Sequence, residues 1–79
     1  MARLDVREDL RQGQEPFQKI MATVAGLAPG EELELIAPFE PLPLYVVLER
    51  RGFTHEAQQT PDGSWRVIFR SAAESRAGD

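Results

Sequence analysis

The chain has 79 residues, which is enough for one small domain and too few for two. It contains no cysteine, so neither disulfides nor a cysteine-based zinc site can stabilise it, and its hydrophobic residues, 42% of the total, must supply a packed core. The net charge of −4 argues against a nucleic-acid partner, because binding to phosphates requires a surplus of Lys and Arg.

The two ends of the chain are polar and carry no targeting signal. Charged residues begin at Arg3, and no apolar run approaches the ~20 residues of a membrane span. We therefore expect a cytoplasmic protein that does not bind a membrane. Residues 1–70 are expected to form a single domain, and the small and polar residues 71–79 to form a disordered tail.

The first third of the chain predicts a strand, a loop and a helix. Residues 3–7 alternate polar and apolar side chains, as a half-buried strand does, whereas the polar residues 8–13 predict a loop. Pro16 suits the first turn of a helix, and Pro29 with Gly30 ends it. The apolar residues between these prolines recur at spacings of three and four and form one stripe: Phe17, Ile20, Met21, Val24, Leu27 and Ala28.

The remainder of the chain predicts three strands and a second helix. Residues 32–36 alternate as a strand, and the proline-rich residues 37–43 form a connector into a helix that begins near Pro43 and is capped by Gly52. Residues 53–59 and 65–70 are strand candidates. The turn signal of residues 60–63, Thr-Pro-Asp-Gly, joins these two strands into a hairpin.

This order of elements, β-α-β-α-β-β, predicts an α/β two-layer sandwich. Right-handed crossovers place both helices on one face of a four-stranded mixed sheet. The other face of the sheet is left open. Eleven apolar side chains are predicted to be buried: Phe17, Ile20, Met21, Val24, Leu33, Leu35, Leu44, Val47, Leu48, Val67 and Phe69.

The chain resembles the TusA/SirA-like fold of small sulfur-relay proteins. Residues 4–7, Glu15-Pro16, residues 27–33 and the hairpin strand 65–70 carry the resemblance. Residues 39–45, together with residues 51–53, look closer to a cysteine-free sister family of uncharacterised function. The resemblance implies a scaffold suited to small acidic proteins that dock on partners.

One departure from that fold family concerns its working residue. The sulfur carriers place a Cys-Pro-x-Pro motif at the start of the first helix, where this chain reads Gly13-Gln14-Glu15-Pro16. A thiolate at a helix N-terminus has a lowered pKa, which suits persulfide chemistry, and glycine has no such group. We therefore expect no sulfur-carrier function.

Two loops bring the candidate binding residues to one edge of the predicted sheet. The loop after the first strand and the connector both follow the carboxyl ends of parallel strands, where ligands of open α/β sheets bind. Two arginines near a helix N-terminus could hold an anion there, although neighbouring carboxylates reduce the positive potential. The candidate partner- or ligand-binding residues of this loop edge are Arg7, Arg11, Gln14, Glu15, Phe39 and Glu40.

Phe39 and the open face of the sheet leave two questions about the partner surface. Flanked by prolines, Phe39 is either a plug over the core, which we favour, or an exposed docking anchor. The open face offers a rival surface, with Ile36 and Ile68 as an apolar centre among charged neighbours. The single histidine, His55, is expected to be exposed and without a catalytic role.

These patterns favour a non-enzymatic module that binds a protein partner. The alternative is a protein that binds a small ligand or an anion at the loop edge. No catalytic constellation is recognisable, and we expect no cofactor and no metal, because one histidine without cysteine cannot build the common transition-metal sites.

Overall fold

A computed structural model describes residues 1–71 of the chain, and these residues form a four-stranded sheet with three helices. The elements, in chain order, are β1 (Ala2–Asp5), α1 (Arg7–Arg11), α2 (Phe17–Ala25), β2 (Leu33–Ala37), α3 (Leu42–Arg50), β3 (Phe53–Gln59) and β4 (Trp65–Ser71).

The sheet is mixed, with the strand order β1-β2-β4-β3. β1 runs parallel to β2, while β4 runs antiparallel to both of its neighbours, β2 and β3. The hairpin between β3 and β4 turns through Gly63, whose φ of 86° is a left-handed conformation that favours glycine. Because β4 runs antiparallel to β2, the carboxyl end of β2 lies beside the start of β4, where Ala37 pairs with Trp65.

One face of the sheet packs against α2 and α3. Leu33 and Leu35 of β2 pair with Phe69 and Val67 of β4, and these four side chains share that face. Ile20 and Val24 of α2 and Leu44 and Leu48 of α3 belong to the same buried cluster. The predicted α/β two-layer architecture, with a four-stranded mixed sheet, is confirmed.

The segment predicted as a loop after the first strand contains the short helix α1. Glu8 and Asp9 in its first turn and Arg11 in its last complement the helix dipole, and the backbone N–H of Leu10 donates to the carbonyl of Val6. Polar composition suggested a loop, but Arg, Glu and Leu are good helix formers. α1 is thus a polar turn of helix that places Leu10 against the core.

The helix α2 ends earlier than the apolar stripe predicts. The stripe continues to Ala28, whereas the helix ends at Ala25 and the N–H of Gly26 donates to the carbonyls of Ala22 and Thr23. Pro29 disfavours helical backbone at the residue before it, so the chain leaves the helix ahead of that point.

Three of the eleven side chains predicted to be buried are not. Phe17 is exposed, and Met21 and Val47 are half-buried. Tyr45 occupies the buried face of α3 instead of Val47. Of the predicted tail, Ser71 is the last residue of β4, and residues 72–79 lie outside the described part of the chain.

Candidate functional site

An apolar groove with a volume of about 710 Å³ lies at the carboxyl ends of β1 and β2. The start of α2, the helix α1 and the connector between β2 and α3 form its walls. Among residues 1–71, Glu15 is the only charged residue in its lining. The lining consists of Val6, Leu10, Glu15, Pro16, Phe17, Gln18, Ile20, Leu35, Ala37, Phe39, Pro41, Pro43 and Leu44.

Two aromatic side chains from different walls of the groove are accessible to solvent. Phe17, in the first turn of α2, is 41% exposed, and Phe39, in the connector, is 51% exposed. The prediction that Phe39 plugs the core is therefore wrong. Pro41 is buried and fixes the connector, so that Phe39 stands outside the packed cluster.

Glu15 caps the N-terminus of α2 at the edge of the groove. Its Oε1 accepts a hydrogen bond of 2.6 Å from the backbone N–H of Phe17. A carboxylate at this end of a helix is stabilised by the helix dipole. Glu15 therefore already occupies the position that an external anion would take on α2.

Two backbone donors at the N-terminus of α3 are already bonded as well. The N–H of Leu42 donates to the carbonyl of Glu40 at 2.9 Å, and the N–H of Leu44 donates to the carbonyl of Pro41 at 3.1 Å. Pro43, between them, has no N–H. The first turn of α3 thus presents apolar side chains rather than an anion-binding cradle.

Arg7 lies at the same edge but outside the groove lining. Its guanidinium bonds to both carboxylate oxygens of Asp5, at 3.1 and 2.8 Å, and reaches Asp62 and Ser64 in the β3–β4 turn. The hydrogen bonds from Arg7 hold the pKa of Asp5 below its usual value. Arg7 therefore ties the end of β1 to the hairpin turn.

Of the other polar candidates of the loop edge, Arg11 is bonded through its side chain and Gln14 through its backbone. Arg11 pairs with Glu8 at 2.7 Å, and the backbone N–H of Gln14 donates to the carbonyl of Asp9 at 2.8 Å. Neither Arg11 nor Gln14 lines the groove. Of the six predicted site residues, the structure places Glu15 and Phe39 in the lining and Glu40 between two lining residues, Phe39 and Pro41.

A cluster that sequence reasoning missed links the connector to α3 and β3. The hydroxyl of Tyr45 in α3 donates to Oε2 of Glu40 at 3.3 Å, and its ring stacks on that of His55, with 3.8 Å between centroids and 10° between planes. Burial, and then the charge of Glu40, raises the pKa of Tyr45 to about 12. The available signal was the spacing of three between Tyr45 and Leu48, which puts both on one helix face.

The open face of the sheet has no exposed apolar centre. Ile36 and Ile68 are each 7% exposed, so neither is available as a docking anchor. Charged side chains accompany them: Glu34 pairs with Arg66 across the strands and with Arg3 at 3.2 Å. The sequence predicted charged neighbours for these isoleucines, and the register of β2 on β4 brings their acids and bases together.

Residues 3–71 match the model of a protein family described as "Uncharacterized conserved protein (DUF2249)". The chain belongs to this family. The match runs from β1 to the last residue of β4, so the family model includes every wall of the groove. No curated protein and no solved structure matches the chain significantly.

Two further findings concern the part of this DUF2249 chain that the structure describes. None of the helices within residues 1–71 has the length and apolar character needed to cross a membrane. Within the same residues, no group of three His, Asp or Glu side chains is placed to hold a metal ion.

Proposed function

We propose that the protein is a non-enzymatic interaction module that receives apolar side chains of a protein partner in the groove. The observation that carries this proposal is the pair of solvent-accessible aromatic rings, Phe17 and Phe39, in the lining of an apolar cavity of about 710 Å³. When a partner covers water-exposed apolar surface in a concave site, the free energy falls by roughly 25 cal/mol per Å² of apolar area.

The stiffness of the connector favours binding by an exposed aromatic anchor. Three prolines, at positions 38, 41 and 43, restrict the backbone around Phe39. A rigid binding surface loses less conformational entropy when a partner docks on it. Aromatic anchors in well-packed pockets carry much of the binding energy of protein interfaces.

The resemblance to the TusA/SirA-like sulfur-relay fold supports the same edge of the molecule as the place where a partner docks. In the sulfur carriers the working residue lies at the start of the first long helix, which corresponds to one wall of this groove. The position that would carry sulfur is Gly13, which has no side chain, so the proposal is docking without sulfur transfer. We place the protein in the cytoplasm, with no nucleic-acid or membrane partner.

The pairing of the charged residues supports an apolar partner over the alternative of an anionic ligand. Arg7 is bonded to Asp5 and Arg11 to Glu8, so an anion would have to compete with existing carboxylates. One backbone donor at the start of α2, the N–H of Phe17, and two at the start of α3, those of Leu42 and Leu44, are also occupied. As far as the described residues 1–71 are concerned, the groove lining contains a carboxylate, Glu15, and no cation.

A random peptide library displayed on phage and selected on the immobilised protein tests the proposal. We expect the selected peptides to carry large apolar residues. Their affinity for the Phe39→Ala variant should be at least about tenfold lower than for the original protein, as is typical for loss of an aromatic hot spot. Val46→Ala is the matched control, because Val46 is 54% exposed but lies outside the groove lining.

A second control addresses the open face of the sheet. Arg66→Glu alters that face without touching the groove, so the selected peptides should bind it about as well as the original protein. If the selected peptides bind Phe39→Ala with unchanged affinity but no longer bind Arg66→Glu, the interface lies on the sheet. A selection that yields no Phe39-dependent peptide would also contradict the proposal.

A further inference from the structure

The charges around the groove are unevenly paired. The nearby cations all have carboxylate partners: Arg7 with Asp5, Arg11 with Glu8, and Lys19 with Asp9 at 3.1 Å. Among the residues that the structure describes, the carboxylates of Glu15 and Glu40 have no cation partner. The groove therefore combines apolar walls with uncompensated negative charge.

Each of these two carboxylates keeps an oxygen available to a partner. Glu15 uses Oε1 to accept the N–H of Phe17, and Glu40 uses Oε2 to accept the hydroxyl of Tyr45. Within residues 1–71, the second oxygen of each accepts no hydrogen bond. These existing bonds hold both carboxylates in place without neutralising them, so their charges are preorganised for a cation.

We infer that the groove selects a basic amphipathic protein segment, in which large apolar side chains are flanked by Lys or Arg. This inference rests on the proposed docking function and names the chemistry of the partner. The apolar side chains would enter between Phe17 and Phe39, and the flanking cations would reach Glu15 and Glu40. A net charge of −4 also attracts basic segments at longer range.

The low polarity of the walls strengthens these ion pairs. A charge beside an apolar surface is less screened by water than one on an open surface, so its attraction for an opposite charge is greater. The unpaired carboxylates beside the apolar groove also repel the like charges of an acidic partner, which weakens its binding. The groove therefore combines affinity from the apolar contacts with selectivity from the carboxylates.

The test uses peptides selected on the original protein and confirmed to lose binding to Phe39→Ala. We expect Lys and Arg to exceed Asp and Glu among the residues flanking their apolar anchors. Fluorescence anisotropy should show binding weakened about two- to fivefold by Glu15→Gln and by Glu40→Gln, the range expected for single partly exposed charge pairs. Both variants keep the oxygen that accepts the structural hydrogen bond.

Two controls separate charge from damage to the fold. Glu49→Gln, an exposed residue of α3, removes the same charge away from the groove and should leave the affinity unchanged. For the original protein, affinity should fall as salt rises from about 0.1 to about 1 M, because the screening length shortens from about 10 to about 3 Å.

The outcomes distinguish this inference from the proposed function. Phe39-dependent peptides that are neutral or acidic, or whose affinity is unaffected by salt and by both Gln variants, would overturn the inference while leaving the docking groove intact. A selection without any Phe39-dependent peptide would overturn the docking function itself, and the inference with it.

Discussion

Tyr45 links the connector that forms the groove to the core of the protein. Its ring contacts His55 and lies 6.2 Å, between centroids, from the fully buried Phe69. Its hydroxyl reaches Glu40, next to Phe39. A single side chain thus couples the position of the carboxylate at the groove to the packing of α3 on the sheet.

The ionisation of Tyr45 is directly measurable, because it is the only tyrosine in the chain. Titration followed by the ultraviolet absorbance of the phenolate should give a pKa of about 12 in the folded protein, where burial is the largest cause of the rise. The folded state then retains a proton that the unfolded state loses near pH 10. The contribution of Tyr45 to the free energy of unfolding is therefore fully present below about pH 10 and is lost as the pH rises towards 12.

Glu40→Gln separates the charge of Glu40 from the other causes of that raised pKa, which are burial and the hydrogen bond. The substitution removes the carboxylate charge and keeps the burial of Tyr45, so the pKa should fall from about 12 but stay above the ordinary 10.0. A phenol in the original protein that titrates at its ordinary pKa while the fold is intact would show that Tyr45 is not buried.

At the residue scale, the sequence predicted burial well inside the sheet and poorly at the groove. Leu33, Leu35, Val67 and Phe69 lie at alternate strand positions, and a period of two specifies their common face. Phe17 continues the apolar stripe of α2 but stands at its first turn, in the lining of the groove. The stripe shows which side of the helix is apolar and does not show where the core ends.

Two glycines at helix ends have opposite roles in the stability of the elements. Gly52, after α3, has φ of 85°, where a side chain is strained although nothing lies within 4 Å of an added Cβ. Gly26, after α2, has φ of −90°, and an added Cβ would meet the carbonyl oxygens of Ala22 and Thr23 at an ordinary 3.7 Å.

The same substitution at these two positions should therefore change stability in opposite directions. Gly52→Ala should lower the free energy of unfolding by about 1–2 kcal/mol, the cost of left-handed backbone for an L-residue. Gly26→Ala should raise it by about 0.4–1 kcal/mol, because alanine restricts the unfolded chain. Urea denaturation of both variants measures the difference, and equal effects would contradict this account of the helix ends.

At the element scale, turn signals predicted the connections more accurately than apolar periodicity predicted the helices. The Thr-Pro-Asp-Gly segment predicted the β3–β4 hairpin, and Gly52 the end of α3, because each depends on a backbone angle that few residues adopt. The helix α1 was missed because five residues cannot show a helical period. Its formation depends on Leu10 packing against the core, a contact that local sequence does not reveal.

At the scale of the whole molecule, ion pairs join distant parts of the chain. Arg7 connects the end of β1 with Asp62 in the hairpin turn at 3.4 Å, and Arg66 connects β4 with Glu34 of β2. The hydrogen bonds from Arg7 and from Arg66 lower the pKa values of Asp5 and Glu34, respectively, and a bond from Thr60 lowers that of Asp62. Sequence proximity predicted none of the long-range partners of Arg7, which arise from the strand order.

Because these carboxyl groups have lowered pKa values, the protein should lose stability in acid. Their contributions are fully present above the unfolded pKa values, 3.8 for Asp and 4.5 for Glu, and disappear as the pH falls through the lower folded values. Melting temperatures measured from pH 7 down to about pH 2 should therefore decrease most steeply below about pH 4.5.

Arg7→Gln tests whether the Asp5 pair is one source of that dependence. The variant should melt a few degrees below the original protein at pH 7, since Asp5 loses its bonded cation. The difference should shrink as the pH falls below 3.8, where Asp5 is protonated first in the unfolded state and then, at its lower pKa, in the folded state. Arg51→Gln removes the same charge from an exposed residue that has no salt-bridge partner within residues 1–71, and should not show this convergence. A difference between the original protein and Arg7→Gln that stays constant down to pH 2 would mean that Arg7 stabilises the end of β1 by packing rather than through the charge of Asp5.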